Sequence, residues 1–149
     1  YTPEVIEAFI DLGTMDQSLI DDRRFFAIEV AGDIVACGGW SLRTPNYESL
    51  GARGHAHLPH RPLVRAIYVH PDHARQGLGR MVMQIVENDM IAAGHREAAL
   101  TATLSGVPFC DRFGYRRRGT MQFDLPAGET FVGLAMDKSL ARTPQLMAA

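Results

Sequence analysis

Residues 69–80 read VHPDHARQGLGR, the most informative stretch of this sequence. The segment before it covers residues 63–69, LVRAIYV, and is apolar enough for a central β-strand. An amphipathic helix follows, and it begins at two glycines. The first amides of a helix have no internal partners and carry partial positive charge, and glycine lets a phosphate approach them. The stretch therefore predicts a phosphate or pyrophosphate site, with Arg75 and Arg80 as counter-charges at its rim.

Two common phosphate-binding loops do not fit this stretch. A Walker A loop needs Gly-Lys-Ser/Thr, and here Gly79 is followed by Arg80 and Met81. A dinucleotide-binding loop requires a third glycine at the position of Val82, and it usually follows the first strand of its domain. The ligand is therefore expected to be a phosphate group of another kind.

Composition excludes several classes of protein. The chain has 149 residues, 46% of them hydrophobic and 21% charged, which suits one globular domain. Its 15 basic and 17 acidic residues give a net charge of −2, too little positive charge for a general nucleic-acid coat. No apolar run approaches the ~20 residues that span a bilayer, and no secretory signal opens the chain. Two cysteines far apart in sequence, Cys37 and Cys110, do not make a disulfide framework, and no CxxC pair offers a zinc site. We expect a cytoplasmic protein without nucleic-acid or membrane partners.

Residue patterns predict an α/β protein with a mixed sheet. The predicted elements are a helix over 3–13, a hairpin of 25–30 and 34–40, a loop over 42–62, a strand over 63–69, a helix over 78–93, a strand over 97–102, a short helix over 105–113, a hairpin of 115–125 and 130–138, and a frayed tail over 139–149. The strand-helix-strand unit should be parallel and the two hairpins antiparallel. On the long helix, the period directs Val82 and Val86 to the core and Glu87 to solvent.

The central stretch resembles the GNAT superfamily of N-acetyltransferases. That family's signature is Gln/Arg-x-x-Gly-x-Gly/Ala after a strand that commonly ends Val-x-Pro. Gly77 and Gly79 match it in register, whereas Ala74 stands where Gln or Arg is usual. Residues 35–40 look like the second strand of the family's hairpin, and residues 109–115 look like its Phe-Tyr-x-x-x-Gly-Phe segment.

The resemblance covers residues 1–138 and implies one α+β acyl-CoA N-acyltransferase domain over 1–149. The family's usual first strand and first helix have no counterpart before Tyr1. An exposed sheet edge would then be open to a partner, so a homodimer is one possible assembly.

By this resemblance, the protein transfers acetyl from acetyl-CoA directly to the primary amine of a small molecule. The alternative is an acyl-CoA-binding module of the same fold without catalysis. A backbone N–H near Val69 would hold the thioester carbonyl. The implied cofactor contacts are Ile67, Tyr68, Val69, Ala74, Arg75, Gln76, Gly77, Leu78, Gly79, Arg80 and Thr103.

The family's usual catalytic side chains are missing from this sequence. Many relatives carry a proton-donating tyrosine at the position of Cys110, whose thiol would donate a proton, accept the acetyl group or simply pack in the core. Relatives often carry a glutamate at the position of Leu63. Tyr68 is a further catalytic candidate, and it faces either the cleft or the core. Candidate bases acting through water are Glu48, His55, His57 and His60.

Residues 42–62 are predicted to form a lid or substrate loop, because connections this long are usually functional. Arg43, Arg53 and Arg61 outnumber its one acid, Glu48, which favours an acceptor that bears a carboxylate beside its amine. The pattern His-x-His-x-x-His over residues 55–60 matches no closed zinc site, so no metal centre is predicted.

Overall fold

The computed structural model describes residues 1–11, 17–45, 51–54, 61–126 and 128–140, with the backbone alone for residues 9–11. The elements are α1 (Pro3–Asp11), α2 (Gln17–Asp21), β1 (Phe25–Val30), β2 (Asp33–Ser41), β3 (Arg53–Gly54), β4 (Leu63–Val69), α3 (Leu78–Ala92), β5 (Glu97–Thr103), α4 (Val107–Arg112), β6 (Arg116–Asp124) and β7 (Thr130–Ser139). A 3-10 turn, Pro71–His73, lies between β4 and α3.

The strands form one mixed sheet in the order β1-β2-β4-β5-β7-β6-β3. The predicted topology is confirmed, because β4 and β5 are parallel and the β1–β2 and β6–β7 hairpins are antiparallel. Strand β3 was not predicted, since two residues carry no readable alternation. Strand β1 lies at one edge of the sheet. Pairing of a second copy at a sheet edge, as a homodimer, stays a prediction. Within the described residues, no helix is long and apolar enough to cross a bilayer.

Helices cover both faces of the sheet. On one face, α3 buries a stripe of Val82, Met83, Val86 and Met90 against Trp40 and its neighbours. On the other face, Val5 and Ala8 of α1 pack on a smaller cluster from β6 and β7 that includes Phe123 and Phe131. Burial of these side chains drives the packing of both layers.

Two glycines in β2 permit this packing. A side chain at Gly38 would collide with Ile67 and would lie 2.6 Å from Val82, so the glycine lets α3 approach the sheet. A side chain at Gly39 would collide with the carbonyl oxygen of Arg24. The two glycines thus lie where α3 and the backbone before β1 come close to β2, a common reason for glycine inside a strand.

The prediction that Glu87 faces solvent was wrong. Glu87 is 8% exposed, and the Lys138 ammonium donates to its two carboxylate oxygens at 2.8 and 3.0 Å. The same ammonium lies 4.5 Å from the centre of the Phe113 ring. Pairing with a cation from β7 allows the carboxylate to be buried, which the helical period alone does not reveal.

The prediction of a frayed tail over residues 139–149 was wrong for its first two residues. Ser139 ends β7, and Leu140 is buried with its amide donating to the carbonyl of Arg96 at 2.8 Å. Residues 141–149 lie outside the described part of the chain.

Candidate functional site

Strands β4 and β5 separate from each other along their length. Both contain seven residues, but they are in register at one pair only, Leu63 with Ala99, near their N-terminal ends. From there the strands diverge toward Val69 and Thr103. We call the resulting opening, between residues 64–69 and 100–103, the β4–β5 gap. A gap in the middle of a sheet exposes backbone hydrogen-bonding groups that a ligand can use.

A β-bulge in β4 shapes one wall of this gap. The step from Arg65 to Tyr68 on β4 lies opposite the shorter step from Gly39 to Cys37 on β2, and Ala66 has a φ of 57°. The Cys37 thiol donates to the carbonyl of Ala66 at 3.7 Å. The extra residue shifts the alternation of side chains along the strand.

The shifted alternation decides where each β4 side chain lies. Ile67 and Val69 pack against the core under α3, whereas Tyr68 lies on the opposite face and is 45% exposed. Of the two orientations predicted for Tyr68, the structure thus shows the one away from the core.

The backbone amide of Val69 faces the gap. The His70 amide donates to the carbonyl of Val35 at 2.8 Å, and Tyr68 pairs with Cys37 in the same register. Successive amides of a strand point to opposite sides. The Val69 N–H therefore points away from β2, and the strand pairings that the structure describes give it no acceptor there. It is available to a ligand inside the gap.

The N-terminus of α3 lies beside this amide. Gly77 precedes the helix with a φ of 81° and forms no side-chain cap, and the Met81 amide donates to its carbonyl at 3.0 Å. The amides of Leu78, Gly79 and Arg80 meet no acceptor among the described residues. A Cβ added at Gly79 would lie 3.6 Å from a methyl group of Val69. The first turn of α3, with its three unpaired amides, thus lies next to Val69.

Other predicted cofactor residues occupy several environments. Ala74, Arg75 and Gln76 are exposed in the loop before α3, and Arg75 has a φ of 60°. Within the described part of the chain, neither Arg75 nor Arg80 forms an ion pair. The Thr103 hydroxyl accepts a hydrogen bond from the Gly106 amide at 3.1 Å and so supports the turn into α4.

The Cys110 thiol is enclosed by the core. Cys110 is 6% exposed and belongs to the cluster beneath α3. Burial, with a smaller contribution from the charge of Asp111, raises the pKa of this thiol to about 11. Both observations favour packing over proton transfer or acetyl transfer through sulfur. Leu63, at the position of the family's glutamate, is also buried.

The remaining candidate bases belong to segments that the structure does not describe. Glu48, His55, His57 and His60 lie outside the described residues, and so does the histidine pattern considered for metal binding. Their roles stay predictions.

The three arginines predicted to attract a carboxylate are already paired with acids. Arg43 binds Asp22 at 2.7 Å, and Arg53 binds Asp124 at 2.7 Å. The third forms two such contacts, at 3.1 and 3.4 Å, with carboxylates of β7 and β5. The excess of positive charge in residues 42–62 is balanced by acids elsewhere in the chain. A count of charges within residues 42–62 alone does not reveal these partners. The hypothesis that the acceptor bears a carboxylate beside its amine therefore loses its main support.

Asp137 is the buried centre of one of these ion-pair groups. Its carboxylate accepts from Arg118 at 2.8 Å and from Arg61 at 3.1 Å, and these contacts hold the pKa of Asp137 below its ordinary value despite burial. A depressed folded-state pKa stabilises the fold above the unfolded value and loses this effect as pH falls through the folded value.

We therefore expect Asp137→Asn to lower the free energy of unfolding by about 1–3 kcal/mol near pH 7. The difference from wild type should shrink as pH falls below about 4. Urea unfolding at several pH values measures it, with the exposed Asp72→Asn as a control. An effect that is constant from pH 7 to pH 3 would contradict the assignment.

Tyr1 belongs to no pattern that predicted a functional residue. Its hydroxyl accepts from the Leu104 amide at 2.7 Å and donates to the Val132 carbonyl at 2.9 Å, while its ring stacks on Phe131 at 5.0 Å. Partial burial raises the pKa of this phenol, so it stays protonated and able to donate. Tyr1 therefore lies at the C-terminal end of β5, on the side of β7.

Comparison with known proteins agrees with the fold. Residues 21–117 match the family model of the acetyltransferase (GNAT) domain. A comparison with curated protein sequences gives no match.

Solved structures share the architecture at low sequence identity. A GCN5-related N-acetyltransferase of Rhodopseudomonas palustris is 20% identical, with a TM-score of 0.70 over 94% of this chain and 78% of the other. PaiA N-acetyltransferase of Thermoplasma acidophilum, in complex with coenzyme A, is 13% identical, with a TM-score of 0.61 over 93% and 80%. The putative acetyltransferase yncA of Salmonella typhimurium, with its cofactor acetyl-CoA, is 14% identical, with a TM-score of 0.58 over 84% and 69%.

Proposed function

Because the chain belongs to the GNAT family of acetyltransferase domains, we propose that it transfers acetyl from acetyl-CoA directly to the primary amine of a small molecule. The observation that carries the proposal is the β4–β5 gap, whose wall presents the Val69 amide next to the unpaired amides of α3. Two structures with the same fold contain coenzyme A or acetyl-CoA.

In this proposal the pyrophosphate of acetyl-CoA binds the first turn of α3. The amides of Leu78, Gly79 and Arg80 donate to its oxygens, and the helix dipole adds favourable charge. Arg75 and Arg80 supply counter-charge from the rim. The pantetheine arm enters the gap and bonds to the exposed backbone of β4, which brings the thioester to Val69.

The chemical step is attack of a neutral amine on the thioester carbonyl carbon. A C–N bond forms while the carbonyl oxygen takes on negative charge, and the Val69 N–H stabilises that charge as a fixed donor. The C–S bond then breaks and CoA leaves as a thiolate, which takes the second proton from the nitrogen of the new amide. A thiol pKa of about 8.5 makes this thiolate an acceptable leaving group without a dedicated acid.

The proton of the amine must go to a base. An alkylamine with a pKa of about 10.4 is mostly protonated at neutral pH, so deprotonation precedes attack. We assign this task to the 46–60 segment, through water, with Glu48, His55, His57 and His60 as the candidates. The buried Cys110 thiol is assigned to packing.

Cys110→Ala tests that last assignment. We expect kcat to stay within about twofold of wild type, because the thiol takes no part in proton transfer, and stability to fall by about 1 kcal/mol from the lost buried atom. Steady-state kinetics and urea unfolding measure the two effects. A drop in kcat of about tenfold or more at unchanged stability would assign the thiol to catalysis instead.

Calorimetric titration with acetyl-CoA, followed by an amine screen with detection of free CoA thiol, tests the function. The proposal expects a Kd in the micromolar range and thiol release that depends on the amine. Binding without turnover on any amine would favour the non-catalytic acyl-CoA-binding module. A folded protein that binds no acetyl-CoA would contradict both.

A further inference from the structure

A half-buried phenylalanine of α4, Phe109, lies where β4 ends and α3 begins. A Cβ added at Gly79 would lie 3.5 and 3.6 Å from two carbons of the Phe109 ring and 3.6 Å from a methyl group of Val69. The edge of the ring, the first turn of α3 and the last residue of β4 thus surround one point. The acetyl transfer proposed above gives this ring no task.

The Phe109 ring reaches this point from the side of β5. Helix α4 follows β5 after residues 104–106 and packs on it. Val107 and Cys110 of α4 are buried in the same core cluster as Ala102 of β5, and Phe109 packs against that cluster. The cluster lies under α3, so the ring extends from the β5 side toward the end of β4 on the α3 face of the sheet.

A second ring restricts the movement of Phe109. Phe113, one helical turn later, stacks on it with the ring centres 6.0 Å apart and an angle of 24° between the planes. The Lys138 ammonium lies 4.5 Å from the centre of the Phe113 ring and pairs with Glu87 of α3. Stacking and the cation–π contact both favour one ring arrangement. Contacts from α3, α4 and β7 thus hold the two rings in place.

The divergence of β4 and β5 requires such a rigid group. Two parallel strands whose facing backbone groups are unpaired gain hydrogen bonds when they come together at the usual spacing of about 4.8 Å. The strands already pair at Leu63 and Ala99, and this pairing would extend toward Val69 if their C-terminal ends moved closer. The Phe109 ring lies between the β5 side and Val69, where it opposes that movement.

Resting on the acetyl-CoA site proposed above, we infer that Phe109 is a positioning residue that holds the C-terminal ends of β4 and β5 apart. The ring keeps the Val69 amide unpaired and the gap open before the pantetheine arm enters. Separation of the strands then takes nothing from the binding free energy, because the site is preorganised. Phe109 touches no reacting atom in this scheme and acts through the position of β4.

Hydrogen exchange at the Val69 amide of the free protein, followed by NMR, tests this role directly. In Phe109→Ala the strands should pair further, so the Val69 amide should exchange about tenfold more slowly than in wild type. A ring that serves only to fill the core would have the opposite effect, since its loss loosens the structure and speeds exchange. The sign of the change therefore separates the two roles.

Calorimetric titration with acetyl-CoA tests the consequence for binding. We expect Phe109→Ala to raise the Kd by about tenfold, because the arm must then separate paired strands before it enters the gap. Phe109→Leu, which keeps a shorter apolar side chain, should change both the exchange rate and the Kd in the same direction by a smaller factor. This variant carries the test if Phe109→Ala does not fold.

Phe26→Ala is the matched control. Phe26 is also a half-buried phenylalanine packed against the core under α3, but it belongs to the edge strand β1. Its replacement should lower stability through lost packing as Phe109→Ala does. Exchange at the Val69 amide should not slow in this variant, and the Kd for acetyl-CoA should stay within about twofold of wild type.

The outcomes distinguish this inference from the proposed function. Unchanged or faster exchange at Val69 in both Phe109 variants would overturn the role of the ring and assign the divergence to the bulge at Ala66, while acetyl transfer would stand. An equal rise in Kd from Phe26→Ala would also overturn it. Slower exchange in the Phe109 variants of a protein whose wild type binds no acetyl-CoA would support the role of the ring and overturn the proposed function.

Discussion

Gly77→Glu is expected to weaken acetyl-CoA binding by about 100-fold or more. The residue directly precedes α3, and nothing lies within 4 Å of a Cβ added there, so a new side chain occupies the space where the phosphates would bind. A carboxylate about 5 Å from a phosphate charge costs about 3 kcal/mol at an effective dielectric constant of about 20. The same carboxylate suits the helix N-terminus, so the fold should persist. Calorimetric titration measures the loss.

Gly77→Gln is the matched control for this variant. The φ of 81° strains any side chain at this position, so glutamine and glutamate share the cost in backbone energy and have nearly the same volume. Only the charge differs between them. Glutamine should therefore weaken binding clearly less than glutamate. Equal effects would show that bulk or strain matters and charge does not, which would contradict a phosphate at this helix end.

Lys138→Met is expected to lower the free energy of unfolding by about 3 kcal/mol, the largest stability effect among these variants. Removal of the ammonium leaves the Glu87 carboxylate buried at 8% exposure without its cation, and it also removes the contact with the Phe113 ring. Methionine keeps most of the apolar volume, so a cavity contributes little. Urea unfolding near pH 7 measures the change.

The double variant Glu87→Leu with Lys138→Met removes both charges. Because burying an apolar pair carries no desolvation penalty for charge, the double variant should recover most of the lost stability. If it is as unstable as Lys138→Met alone, the cost comes from lost packing of the lysine stem, and the unpaired carboxylate is not the cause.

The glycine-led start of α3 and the order of elements were predictable because they depend on local patterns. Two glycines at a helix start and alternating runs of apolar residues are readable from neighbouring positions. The parallel pairing around α3 follows from general rules of connection. These features predicted the mixed sheet and the loop that leads into α3.

The remaining features depend on contacts between distant segments. The pairing of Glu87 with Lys138 joins α3 to β7, and the hydrogen bonds of Tyr1 join the start of the described chain to the end of β5. The orientation of Tyr68 depends on a bulge that adds one residue relative to β2. None of these follows from a sequence period, because each depends on where another element packs.

Because β4 and β5 are joined by a single in-register pair, the sheet consists of two weakly connected sets of strands. Strands β1, β2 and β4 form one hydrogen-bonded set, and β5, β7, β6 and β3 form another. Amide groups at the divergent ends have few partners, so hydrogen exchange there should be governed by local opening, below the free energy of global unfolding. A ligand wedged between the two sets would cross-link them and raise the cooperativity of unfolding along with the melting temperature. The cosubstrate would then stabilise the sheet by linking its two sets of strands, in addition to supplying the acetyl group.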